Sequence, residues 1–112
     1  MKESRVQDEI RLALGLEDDL VLWRNNVGVA QFDNGSRVAY GLAPGSADLV
    51  GILAPSGRWF CLELKRLKGG RVEAEQKLWH ALVRRMGGFC AVVRSVDEAR
   101  AALERARTGA TE

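Results

Sequence analysis

Hydrophobic residues near the start of the chain recur with the spacing of a helix. The stripe consists of Val6, Ile10, Ala13 and Leu14. Side chains three and four residues apart share one helix face, so this pattern predicts an amphipathic helix. Ser4 and Gln7 have the spacing of a capping box and are expected to begin the helix, and Gly15 is expected to end it.

The pattern then changes to short extended segments. Residues 21–23 begin a predicted strand, which the polar and flexible run 24–28 interrupts. Asp33-Asn34-Gly35-Ser36 is a strong turn signal between two further apolar segments, 29–32 and 37–40. Either a hairpin or a longer excursion of the chain fits this region.

Two apolar runs follow, 48–53 and 58–67, and the four residues 54–57 form a turn between them. A turn this short favours an antiparallel hairpin. Strand side chains alternate between the two faces of a sheet, which divides the second run into two sets. One face carries Trp59, Cys61, Glu63 and Lys65, and the opposite face carries Phe60, Leu62 and Leu64.

The last third of the chain predicts two helices with a buried strand between them. The first helix covers 72–86 and ends at Gly87-Gly88, and the strand covers 89–93. The apolar stripe of this helix consists of Val72, Trp79, Leu82, Val83 and Met86. Ser95 and Glu98 have capping-box spacing and are expected to open the final helix.

The composition is that of one globular domain. The chain has 112 residues, of which 46% are hydrophobic and 29% charged. We expect the domain to cover residues 1–107 and residues 108–112 to form a frayed tail. No apolar run approaches the roughly 18 residues of a membrane span. Charged residues occupy the place of a secretion signal's apolar core, so we expect a cytoplasmic protein without membrane contacts.

Cys61 and Cys90 both lie in apolar runs, and His80 is the single histidine. This set does not supply the ligands of a structural zinc site. We expect both cysteines to be reduced, buried and small hydrophobic in character. His80 lies off the apolar stripe of its helix and is expected at the surface rather than as a general base.

Glu63 and Lys65 are unusual because charged residues rarely occupy a strand this apolar unless they are paired or functional. Asp48 opens the partner strand directly after Gly45-Ser46-Ala47, so the hairpin brings both acids to the same end of the sheet. Two carboxylates there form an oxygen-ligand site for Mg²⁺ or Mn²⁺. The alternative is that Glu63 and Lys65 are surface neighbours and Asp48 is a turn residue.

The combination of Gly45-x-x-Asp48 with Glu63-x-Lys65 after a hairpin resembles the pattern of PD-(D/E)XK nucleases, and more specifically a stand-alone VRR-NUC domain. Further matching motifs, in chain order, are the helix with Glu9, WRNNVG, DLVGI, CLELK, Gly70-Arg71, Gln76, Gly87-Gly88 and VVRS. The resemblance covers roughly residues 3 to 98. Ala47 stands where the pattern has a proline. The resemblance implies an α/β restriction-endonuclease-like fold with a small mixed sheet flanked by helices.

The resemblance also implies roles for individual residues. Asp48, Glu63 and the backbone carbonyl of Leu64 are expected to bind the metal, with Glu9 reaching it through water. Lys65 is expected to be the catalytic lysine, and Gln76 to lie at the edge of the site. For Gln76 the alternative is a glutamine that bonds a backbone group at a helix end. For Glu9 it is a solvated first-turn acid that suits the helix dipole.

Basic and amide side chains flank these motifs in sequence. The expected phosphate-facing rim consists of Arg24, Arg66, Lys68, Arg71 and Lys77. Asn25 and Asn26 contact the DNA backbone or shape a turn. Arg84, Arg85 and Arg94 are alternative phosphate contacts, although charges at a helix end are more often simply solvated.

The implied function is a Mg²⁺- or Mn²⁺-dependent DNA endonuclease that is selective for branched DNA such as Holliday junctions, of a phage or prophage type. A homodimer is expected, with Trp23, Phe32, Val38 and Tyr40 as a candidate dimer element. One rival is a restriction- or nicking-type endonuclease that acts on duplex DNA. The other is a catalytically idle DNA-binding module of the same fold.

Overall fold

The computed structural model describes residues 3–66 and 70–112; of Glu3 and Ser4 it describes the backbone. Within that part of the chain the elements are α1 (Glu3–Leu14), β1 (Leu20–Arg24), β2 (Gly28–Gln31), β3 (Arg37–Tyr40), β4 (Leu49–Leu53), β5 (Arg58–Leu64), α2 (Ala74–Arg85), β6 (Phe89–Val93) and α3 (Val96–Arg107). Among these described residues no helix has the length and apolar character needed to cross a membrane.

Four strands form a mixed sheet in the order β1-β4-β5-β6. The predicted hairpin is present: β4 and β5 are antiparallel, with Leu49 opposite Leu62 and Leu53 opposite Arg58. β6 runs parallel to β5 on the far side, because α2 carries the chain back across the sheet before β6 begins. The predicted small mixed sheet flanked by helices is therefore confirmed.

The two faces of this sheet bury different helices, as the alternation along β5 predicted. On one face Phe60, Leu62 and Leu64 lie in the main core with α1 and α3, including Ile10 and Leu103. The opposite face carries a smaller buried cluster, which consists of Ala47, Val50, Cys61, Val83 and Cys90. Trp59 and Trp79 are partly buried and pack against this cluster. Both cysteines are buried and free, as expected.

The segment between β1 and β4 forms a separate hairpin. β2 and β3 pair antiparallel around the 33–36 turn, with Gly28 opposite Tyr40. Gly28 has a packing role, because a Cβ added there would lie 2.3 Å from the Tyr40 hydroxyl. All four residues of β3 are exposed. The hairpin alternative is thus correct, and this two-stranded arm is not hydrogen-bonded into the main sheet.

Two helix predictions need correction. Ser4 lies inside α1 rather than at its N-cap. In α2 the buried side chains are His80 and Val83, whereas Met86 is 76% exposed. The face that meets the sheet includes Trp79, His80 and Val83, so the predicted stripe is confirmed at Trp79 and Val83 and wrong at Leu82 and Met86. His80 is 3% exposed and the prediction that it lies at the surface was wrong.

Residues 108–112, for which we predicted a frayed tail, make contacts with the rest of the domain. The Cys90 N–H donates to the Thr111 carbonyl at 2.9 Å, so the tail covers the outer edge of β6. Arg58 donates to the carbonyl of Ala110, and the Glu112 carboxylate lies 3.2 Å from the Arg84 guanidinium. The sequence pattern missed these contacts because they depend on backbone groups and on distant arginines.

Candidate functional site

Asp48 enters β4 from a loop that Asn25 holds in place. The Asn25 N–H donates to the Asp48 carbonyl at 2.9 Å. The side-chain amide of Asn25 donates to the Ser46 hydroxyl at 2.7 Å and to the Ala47 carbonyl at 2.8 Å. This favours the turn-shaping alternative for Asn25, since its amide nitrogen is used inside the protein. A contact of Asn25 with DNA stays a prediction.

The hairpin brings Asp48 to the end of β5, beside Glu63. The Leu64 N–H donates to Asp48 Oδ2 at 2.8 Å, and Glu63 is only 1% exposed. Burial, followed by hydrogen bonding with and repulsion from the Glu63 carboxylate, raises the pKa of Asp48 to about 7, against the opposing effects of the Leu64 N–H and Lys65. The two acids predicted to meet are therefore in direct interaction.

Lys65 follows Leu64 and is partly buried. Its N–H donates to the Val93 carbonyl at 3.1 Å, which continues the pairing with β6 by one residue. Its positive charge lowers the pKa of Asp48, so the ammonium group lies within electrostatic reach of the carboxylates. Gly70 lies close to Lys65, since a Cβ added at Gly70 would lie 3.2 Å from the Lys65 Cβ. Arg94 donates to the Gly70 carbonyl at 3.0 Å and to the Arg66 carbonyl, so its guanidinium is engaged in the protein.

His80 is the residue of this region that the sequence analysis missed. Its Nε2 lies 3.6 Å from Glu63 Oε1, and both side chains are almost fully buried. Burial opposes protonation of His80, but interactions with the Cys90 thiol and the Glu63 carboxylate outweigh it and raise the pKa of the imidazole to about 9. A usable signal was present: His80 lies four residues after Gln76, on the same helix face.

Two other predicted residues have local partners. Gln76 Oε1 accepts a hydrogen bond from the Glu73 N–H at 2.8 Å, which is the backbone-bonding alternative and closes the first turn of α2. Glu9 Oε1 lies 3.6 Å from Arg5 Nε. Across residues 3–66 and 70–112 no three His, Cys, Asp or Glu side chains form a metal-binding cluster. The structure thus brings Asp48 and Glu63 together without Glu9, whose role stays a prediction.

The predicted DNA-contacting side chains are mostly exposed. The exposed ones in the described part of the chain are Arg24, Asn26, Arg66, Arg71 and Lys77, whereas Asn25 is half-buried. Arg71 lies 3.8 Å from Glu73, an exposed pair whose attraction is weak in water. Lys68 lies outside the described residues. These side chains remain free to meet a polyanion, and their contact with DNA stays a prediction.

The donor chemistry around Asp48 fits a hard divalent cation. Glu63 Oε1 is buried and has no hydrogen-bond partner within residues 3–66 and 70–112, and an unsatisfied buried carboxylate oxygen is costly. Burial is the largest cause of the raised pKa of Asp48, and the neighbouring Glu63 carboxylate adds to it; a bound cation would relieve the repulsion between the two acids. Both donors are oxygens, which Mg²⁺ and Mn²⁺ prefer. The N–H and C=O of one strand residue point to the same side of the strand. Because the Leu64 N–H donates to Asp48, the Leu64 carbonyl points to that side too.

The fold defines the class of this protein: an α/β domain with a mixed sheet flanked by helices, the PD-(D/E)XK-like architecture that the motifs implied. A solved structure described as a VRR_NUC domain is similar to it, with a TM-score of 0.58 and 24% sequence identity. The match covers 91% of this chain and 94% of that one. The predicted resemblance is confirmed at the level of the fold. No protein-family model and no curated protein matches the chain.

Proposed function

We propose that this protein is a Mg²⁺- or Mn²⁺-dependent DNA endonuclease that hydrolyses phosphodiester bonds. The observation that carries the proposal is the interaction of Asp48 with the buried Glu63, with Lys65 next along the strand. A protein that needed only a stable core would gain nothing from two interacting acids at a strand end. The likeness of the fold to a VRR_NUC domain adds support.

Asp48, Glu63 and the Leu64 carbonyl would hold the divalent ion. When bound, this ion lowers the pKa of a coordinated water and neutralises charge on the scissile phosphate. The Leu64 N–H keeps Asp48 oriented, so that one carboxylate oxygen is already fixed before the ligand arrives. Lys65 Nζ orients the attacking water and stabilises the charge that develops on the phosphate as the P–O bond breaks.

We propose branched DNA, such as a four-way junction, as the substrate and a homodimer as the active species. The β2–β3 arm supports this proposal because Phe32, Val38 and Tyr40 are between 44% and 52% exposed. Large exposed apolar groups on one short arm are typical of an interaction surface. Two sites held in a symmetric dimer would make paired cuts across a junction.

Cleavage of a labelled four-way junction and its matching linear duplex tests the proposal, with Mg²⁺ or Mn²⁺ present. Lys65→Ala is the variant, and Arg100→Ala is the matched control because Arg100 is an exposed cation on α3. We expect paired cuts on the junction alone, lost in Lys65→Ala and kept in Arg100→Ala. Cutting of both substrates would support the nuclease activity and contradict the proposed selectivity for junctions. No cutting by folded wild type in saturating metal would contradict the proposal in favour of a DNA-binding module.

A further inference from the structure

Two buried polar atoms, one on Glu63 and one on His80, face one another. Glu63 Oε1 and His80 Nε2 are 3.6 Å apart, on side chains that are 1% and 4% exposed. Among the residues that the structure describes, neither atom has a hydrogen-bond partner. Their separation exceeds the roughly 2.8 Å of a charge-assisted hydrogen bond, but each is the complementary group that the other needs.

The other groups around His80 leave this pairing open. The Cys90 thiol interacts with the imidazole from β6. Arg84, one turn later on α2, donates to the Cys90 carbonyl at 3.0 and 2.8 Å, so its guanidinium is directed at the β6 backbone. The Trp79 indole N–H on α2 is also buried without a hydrogen-bond partner in the described part of the chain, but it is His80 Nε2 that lies 3.6 Å from the buried oxygen of Glu63.

We propose that His80 is a positioning residue that orients Glu63 for metal binding through an Nε2–H···Oε1 hydrogen bond. This inference rests on the proposed function, because it requires Glu63 to be a metal ligand. A glutamate carboxylate is placed by three rotatable bonds, and a fixed donor behind it removes that freedom. Partners that hold metal ligands in this way typically change metal affinity 10- to 100-fold. α2 thus acts on the site through His80.

The single histidine makes this contact directly observable. In wild type labelled with ¹⁵N-histidine, we expect a protected Nε2–H signal whose chemical shift changes as Mg²⁺ is added, in step with binding measured by calorimetry. In Glu63→Gln the metal-dependent shift should vanish. A ring signal that stays constant while calorimetry records binding would overturn the inference, and this arm needs no substitution of His80.

Three variants complete the test, with Mn²⁺ affinity measured by calorimetry. His80→Leu removes the donor at similar volume and should weaken Mn²⁺ binding 10- to 100-fold. His80→Gln restores an N–H donor and should recover most of that loss. Val83→Ala, one turn along the same helix and 6% exposed, makes a cavity without removing the donor and should leave affinity unchanged.

The outcomes separate the two proposals. Equal Mn²⁺ affinity in wild type and folded His80→Leu would overturn the positioning role and leave the nuclease proposal intact. An equal loss in His80→Gln and Val83→Ala would also overturn it, because packing alone would then explain the effect. Absence of Mn²⁺ binding in folded wild type would overturn the metal site itself, and the role of His80 with it.

Discussion

Replacing Asp48 by Asn should stabilise the metal-free protein at alkaline pH. The pKa of Asp48 is raised from 3.8 to about 7, so the folded state holds a proton that the unfolded state has released between these values. A group with a raised pKa contributes stability below pH 4 and loses it as the pH rises towards 7. At about 1.4 kcal/mol for each pKa unit, the loss of stability on ionising Asp48 is roughly 4 kcal/mol at pH 8, of which about 1 kcal/mol is already lost at pH 4.5.

Urea denaturation followed by tryptophan fluorescence, with a chelator present, measures this effect. The difference in free energy of unfolding between Asp48→Asn and wild type should grow by about 3 kcal/mol from pH 4.5 to pH 8 in favour of the variant. The asparagine Oδ1 still accepts from the Leu64 N–H, so the hairpin contact is kept. A difference that stays constant with pH, or that shifts towards wild type, would refute the reasoning.

Asp19→Asn is the matched control because it reverses the sign. A hydrogen bond from Arg107 holds the pKa of Asp19 below its ordinary value, with Arg107 Nη2 at 2.7 Å from Asp19 Oδ1. Stability from this pair is present above pH 4 and is lost as the pH falls through the lowered pKa. Wild type should therefore gain on Asp19→Asn as the pH rises from the lowered pKa to about pH 5, and the difference should stay nearly constant from there to pH 8.

The remaining predictions address the metal and the fold. Mg²⁺ at a hundred times its dissociation constant should raise the free energy of unfolding of wild type by about 2.7 kcal/mol and leave Asp48→Asn unchanged in a thermal-shift assay. Ser95→Ala removes the acceptor for the Glu98 N–H and should cost about 1 kcal/mol in urea denaturation. Phe60→Ala, which removes a ring stacked 5.2 Å from Phe89, should cost about 3 to 5 kcal/mol. Deleting residues 108–112 should lower stability by roughly 2 kcal/mol through lost hydrogen bonds to Cys90 and Arg58; an unchanged urea midpoint would mean that the tail contributes nothing.

Local patterns along the chain were enough to predict most elements and one pair of site residues. Glu63 and Lys65 stood out as charges in an apolar strand, and the short 54–57 turn placed Asp48 beside them. Both inferences depend on neighbours in sequence, since alternation and turn length are properties of adjacent residues. The structure agrees, because the Leu64 N–H donates a hydrogen bond to the Asp48 carboxylate beside Glu63.

Which helix face meets the sheet was decided by tertiary packing. Apolar residues occur around much of the circumference of α2. The sequence pattern therefore did not distinguish a buried face with Leu82 and Met86 from one with His80 and Val83. The sheet presents Cys61, Cys90 and the buried carboxylate of Glu63, and burying His80 places an imidazole of complementary chemistry 3.6 Å from that carboxylate, which burying Met86 would not do.

The hairpin, the order of elements and the meeting of the two carboxylates could all be predicted from the sequence, because local spacing sets all three. The tertiary structure decided the burial of His80, the role of Asn25 in bracing the Asp48 loop and the attachment of the C-terminal tail to β6. These three depend on contacts between residues far apart in the chain, where the hydrogen-bonding needs of buried groups select the partner.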